Sequence, residues 1–181
     1  NKKISITTGL GVNDKRLHSF LDKIKGNKIK FLVSGEATNK YFDFIRYGVT
    51  WLDFAKRIDM ITKEGHEVQF ISTASNISAF DFHNFYNKYS DQHQIEINVL
   101  SERPFLLPHV LDEKSKDVCR KNLDGLGSKA NEVLSFLDKE PSDIDRKNLG
   151  NYLKQLSRRR NISLTFLPNH FLQWCGFDIT N

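Results

Sequence analysis

Cysteine is scarce in this chain, and nowhere clustered. Of its 181 residues only Cys119 and Cys175 are cysteines, too few and too far apart for a disulfide framework, which points to a reducing compartment. The six histidines, at 18, 66, 83, 93, 109 and 170, show no HxxxH, HxH or Cys–His spacing suited to zinc, so the metal ligands read from the sequence are none. A P-loop, a GxGxxG fingerprint and a GxSxG elbow are also missing, which removes the chemistries those turns support. No apolar run approaches the ~20 residues of a membrane span and no signal peptide opens the chain. The expectation is a cytoplasmic protein with no membrane partner. Internal repeats, low-complexity tracts and clear linkers are absent too.

What is present suits one domain with a sizeable core. The length falls in the range of roughly 100 to 200 residues per domain, and 14 phenylalanines supply apolar surface. The formal charge is +5 and the pI about 9.1. Basic residues gather in 23–30 and again at Arg158–Arg160. Such runs are usually solvated faces, and they lack interleaved aromatics that would stack on bases. Nucleic acid as a partner is therefore expected to bind weakly and electrostatically.

Periodicity gives the architecture. Lys3–Thr8 alternates and is β-branched. Ile29–Val33 is an apolar run of the kind buried on both faces of a parallel sheet, His66–Thr73 forms a third strand, and Gln94–Leu100 a fourth. Helical patterns lie between them. Asn13 or Asp14 caps Leu17, Phe20, Leu21 and Ile24; Trp51, Phe54, Ala55, Ile58 and Ile61 share a face ended by Gly65. Ser78 with Asp81 reads as a helix start, and Phe82, Phe85, Tyr86 and Tyr89 form an aromatic stripe expected in the core. His66 opens its strand and reads as structural or solvent-facing. From Ser101 a proline-marked connection leads only to helices: Asp112–Leu123, one carrying Ala130 to Leu137, one carrying Leu149 to Leu156 started by Ser142 and Asp145, and a last short one around Phe171–Trp174. The fold class is α/β, an open parallel sheet of about four strands with right-handed crossovers. The division expected is a βα-repeat part over 1–108 and a helical C-terminal extension over 109–181 packed on it.

The stretch 29–51 runs from an apolar strand into the polar turn Ser34-Gly35-Glu36-Ala37-Thr38, with Arg46 following. Ligands bind at this carboxyl end of strands in open α/β sheets and barrels. Ser and Thr there are also ordinary turn and cap residues, and Glu36 with Arg46 also reads as a surface ion pair worth ~0 to 1 kcal/mol.

That turn, then Tyr41, Phe44-Ile45-Arg46-Tyr47-Gly48 and Trp51, resembles the middle of radical S-adenosylmethionine proteins of the SPASM/twitch group. Thr73-Ala74-Ser75-Asn76-Ile77, Arg103-Pro104 with Leu107-Pro108, and Arg158-Arg159-Arg160-Asn161 with Phe166-Leu167-Pro168 are similar to later segments of that group. The resemblance spans nearly the whole chain in short motifs. It implies a partial barrel, S-adenosylmethionine as cofactor, and a small molecule or peptide as substrate. By resemblance the cofactor-binding residues are Ser34, Glu36, Thr38, Arg46, Thr73 and Asn76, with Glu36 near the ribose or amino group and Arg46 on the carboxylate. Gly35 stands where related sequences carry a bulkier residue, and Glu36 where Asp is commoner.

The CxxxCxxC loop, whose three thiolates hold a four-iron four-sulfur cluster, does not occur. Such a cluster is expected only if a missing N-terminal segment supplies the cysteines. The chain starts at Asn1, and the expectation is a C-terminal portion of a longer polypeptide, partnered by the N-terminal half of the barrel and inert alone. No catalytic residue is assigned. The alternative is a non-catalytic α/β module that binds an anionic ligand or nucleic acid.

Overall fold

A computed structural model describes residues 4–100 and 102–179, so Lys3 and Ser101 lie outside the described residues. In chain order the elements are β1 (Ser5–Thr8), α1 (Asp14–Lys23), β2 (Lys30–Ser34), α2 (Asn39–Ile45), α3 (Trp51–Lys63), β3 (Glu67–Ala74), α4 (Asn76–Ala79), α5 (Phe82–Tyr89) and β4 (Gln94–Val99). After a 3-10 turn at Pro104–Leu106 come α6 (Glu113–Asp124), α7 (Asn131–Leu137), α8 (Asp143–Arg160) and α9 (Asn169–Trp174). Local signals start several of them. Asn13 accepts the amide of Arg16 at 2.9 Å, Thr50 that of Asp53 at 3.1 Å, and Ser142 that of Asp145 at 3.0 Å. Gly65 stops α3 with φ +81°, a left-handed conformation that glycine adopts without steric cost.

All four strands are parallel and adjacent in sequence order, β1-β2-β3-β4. With right-handed crossovers that order stacks every connecting helix on one face. Burial alternates accordingly. Ile6, Phe31 and Val68 share one register row, Val33, Phe70 and Ile95 the next, and these side chains point under α3 and α5. The expectation that β2 is buried on both faces is corrected: Lys30, Leu32 and Ser34 are half-exposed, because no helix crosses to that side. Polar pairs occupy the open face instead, with Lys30 on Glu67 at 2.8 Å and Gln69 on Glu96 at 3.1 Å.

The helix start read at Ser78 and Asp81 is also corrected. Ser75 caps the single turn α4 in a box with Ser78, while Asp81 precedes α5 without capping it, since its carboxylate is drawn away to Thr38. The C-terminal helices join the same apolar core as the sheet. Tyr41 donates to the Phe166 carbonyl at 3.2 Å and meets its ring edge-on, and Phe80 packs on Phe171. His66 is structural and buried, its Nδ1 facing the Ile29 amide beside the Phe31 ring. Among the described residues no helix is long and apolar enough to cross a membrane.

Candidate functional site at the carboxyl ends of the strands

Gly35 lets β2 turn where it does. A Cβ there would lie 2.9 Å from the Phe54 ring and 3.1 Å from that of Phe85, so the departure noted at this position is required by close packing of α3 and α5. The turn then delivers Glu36 into the protein. Its carboxylate takes two hydrogen bonds from Arg46, Nε at 2.9 Å and Nη2 at 2.5 Å, and one from the Thr73 backbone. The Glu36 side chain is 3% exposed against 27% for Arg46. Sequence also allowed a surface ion pair; in the fold its carboxylate is buried and its guanidinium half-buried. Burial pushes the Glu36 carboxyl above its ordinary value, and Arg46 opposes that shift.

Beside this pair lies a cavity of about 260 Å³, lined by Glu36, Arg46, Thr73, Ser75 and Arg160 with apolar walls that include Leu106 and Tyr152. It sits at the carboxyl ends of β2 and β3, under the end of α8. Motif residues far apart in sequence meet here. Arg160 donates to the Phe44 carbonyl and lies over the Tyr47 ring at 5.2 Å, which brings the terminal arginine run to the turn after β2.

The six expected ligand-binding residues divide. Glu36, Arg46 and Thr73 line the cavity. Ser34 stands half-exposed at the end of β2, outside the lining. Thr38 turns away: its amide and hydroxyl both donate to Asp81, at 2.5 and 2.8 Å. Asn76 is fully buried and donates to the carbonyls of Phe105 at 2.9 Å and Val110 at 3.3 Å, so it ties the proline-marked connection to the sheet. Arg46 has already found its carboxylate in Glu36.

Asp81 was missed as a site-shaping residue because its partner lies 43 positions away. A second constellation, Asp112, Ser115 and His170, carries no sequence signal either. Ser115 donates to Asp112 at 2.5 Å, and its oxygen is 3.2 Å from His170 Nε2. The hydroxyl proton is thus spent on the carboxylate and His170 must donate, the reverse of what a serine nucleophile needs. Ser115 is also fully buried, and Asp112 is the cap of α6.

An iron–sulfur cluster does not fit these residues. The cluster needs three thiolates, and the chain has two cysteines, Cys119 and Cys175, both buried. Among the described residues no group of three His, Cys, Asp or Glu is placed to hold a metal ion. Comparison with models of known families, with curated proteins and with solved structures finds no match.

Proposed function

We propose that the chain is part of a radical S-adenosylmethionine enzyme acting on a peptide or other small substrate, and that the cavity at the strand ends receives the amino-acid end of the cofactor. The observation that carries this is the Glu36–Arg46 pair opening, with Thr73, into a cavity at the carboxyl ends of parallel strands. At about 260 Å³ the cavity is smaller than the ~300 to 1,000 Å³ of sites that enclose a whole small molecule. It suits one end of the ligand, and the nucleoside would extend over the open face of the sheet. Glu36 takes Nε and Nη2 of Arg46 and holds it in place, so Nη1 is the nitrogen left to meet the cofactor's carboxylate, with Thr73 beside it. When bound, the cofactor supplies a reducible sulfonium. Cluster ligands would have to come from outside these residues.

The β1 edge supports a partial barrel. It adjoins an apolar hollow of about 280 Å³ lined by Ile6, Leu10, Val12, Leu17, Phe20 and Phe31. Ile4, Val12 and Phe20 stay 54%, 40% and 37% exposed there, as expected where a further βα unit would dock. A second reading, a non-catalytic module for an anionic ligand, is favoured by Arg160 in the same cavity.

Titration calorimetry of the chain with S-adenosylmethionine and with a simple carboxylate tests both. Binding of the former, weakened about ten- to a hundredfold by Thr73→Val through loss of one hydrogen bond to a charged group, supports the enzyme reading. Binding of the carboxylate alone selects the second reading, and no binding of either overturns both.

A further inference from the structure

The arginine run at 158–160 continues a cationic strip that only folding assembles. Lys147, Lys154 and Arg158 are exposed on α8, and their spacing of seven and four residues puts them on one side of the helix over about 16 Å. Gly150 lies in the same row. A Cβ there would stand 2.2 Å from the Cys175 carbonyl oxygen, so the end of α9 lies directly against the strip. Between the two helices runs a groove of about 670 Å³, lined by Arg146, Lys147, Asn151, Lys154, Gln173 and Trp174. Asp143 also lines it and pairs with Arg146 at 3.1 Å, which leaves the groove a cationic surplus.

Aromatic rings stand among these cations, although the sequence keeps them apart. The Arg146 guanidinium is 6.0 Å from the Trp174 ring centre, and Lys154 Nζ is 5.0 Å from that of Phe177 while donating to the Gly176 carbonyl at 2.9 Å. Phe171 stacks behind Trp174, 6.2 Å away and 23° from parallel, and the indole remains half-exposed. Arg146 lies over the ring but is 45% exposed, so it can yield that place to a base; a ring backed by Phe171, with cations and two side-chain amides around it, is the equipment for a phosphate-bearing strand with unstacked bases.

We propose that the α8–α9 groove binds single-stranded nucleic acid. Lys147, Lys154 and Arg158 would take backbone phosphates, Trp174 would stack on a base, and Asn151 and Gln173 would offer amide donors and acceptors to base edges. A duplex keeps its bases stacked with each other, out of reach of Trp174. An acidic peptide would engage the cations but leave the indole and the amides unused.

The test is fluorescence anisotropy of a labelled single strand of about ten nucleotides titrated with the chain at low salt, beside a duplex of the same sequence. The single strand should bind at least about tenfold tighter than the duplex. Neutralising two exposed cations, Lys147→Gln with Lys154→Gln, should lower the slope of log affinity against log salt by about 1.4. Trp174→Leu should weaken binding about fivefold or more with the slope unchanged. Equal affinity for single strand and duplex, an unchanged slope in the lysine variant, tighter binding of an acidic peptide, or no binding at all overturns the proposal. The lysine variant keeps it testable should Trp174→Leu disturb the fold. Thr73→Val should leave this binding intact, so its failure is separate from failure of the strand-end site.

Discussion

Arg46 keeps 27% of its side chain in solvent, while the Glu36 it grips with two hydrogen bonds is 3% exposed. The pair is therefore unequal. Removing the arginine strands a buried carboxylate, whereas removing the carboxylate leaves a guanidinium that water can reach.

Arg46→Ala should accordingly cost about 3 to 5 kcal/mol near neutral pH, the usual penalty for an orphaned buried charge, and Glu36→Gln clearly less. Because burial raises the Glu36 carboxyl, the native state holds its proton more tightly than the unfolded chain. Stability from this group is present below the ordinary carboxylate range and is lost as pH rises through the raised value. Loss of Arg46 widens that gap, so the Arg46→Ala defect should shrink on acidification. Urea unfolding of both variants at neutral and mildly acidic pH measures it, and equal costs for the two variants would refute the asymmetry.

His93 has the opposite sign. Burial against Phe70, 5.5 Å away, and Tyr89, 5.9 Å away, lowers it, although the Val68 backbone and Asp59 pull upward. Burial lowers His109 as well, and Asp145 opposes the shift while Lys139 and Lys116 add to it. Both contribute stability above the unfolded histidine value of about 6.5 that declines as pH falls below it. The melting temperature should drop between about pH 7.5 and 5.5, and the drop should be smaller in the His93→Gln, His109→Gln double variant. A drop of unchanged size would exclude these two side chains as its source.

Cys119 and Cys175 should be inert in the native protein. Burial holds both thiols near 12, where the reactive thiolate is scarce at about pH 8. A chromogenic thiol reagent should label neither until denaturant is added and then both. Rapid labelling of the folded chain would show that one of them reaches solvent.

Much of the fold was legible because periodicity and punctuation agree along the chain. Alternation in Gln94–Val99, the apolar face of Trp51–Lys63 and the stop at Gly65 are local statements, and each matches an element. One-sided burial of the sheet was not legible in Ile29–Val33, where Leu32 reads like its buried neighbours. Only the strand order decides that its side faces solvent.

The site divides along the same line. The residues themselves put carboxylate, hydroxyls and cation after β2, because a strand end must leave the core through polar residues. Tertiary structure decided what they do: Thr38 goes to Asp81, Asn76 to the carbonyls of Phe105 and Val110, and Arg46 to Glu36. It also carried Arg160 to the strand ends and Trp174 to Arg146. Burial explains the difference. A polar group removed from water must find a partner wherever the packed chain offers one, and that partner is set by distance in space, which sequence separation does not report.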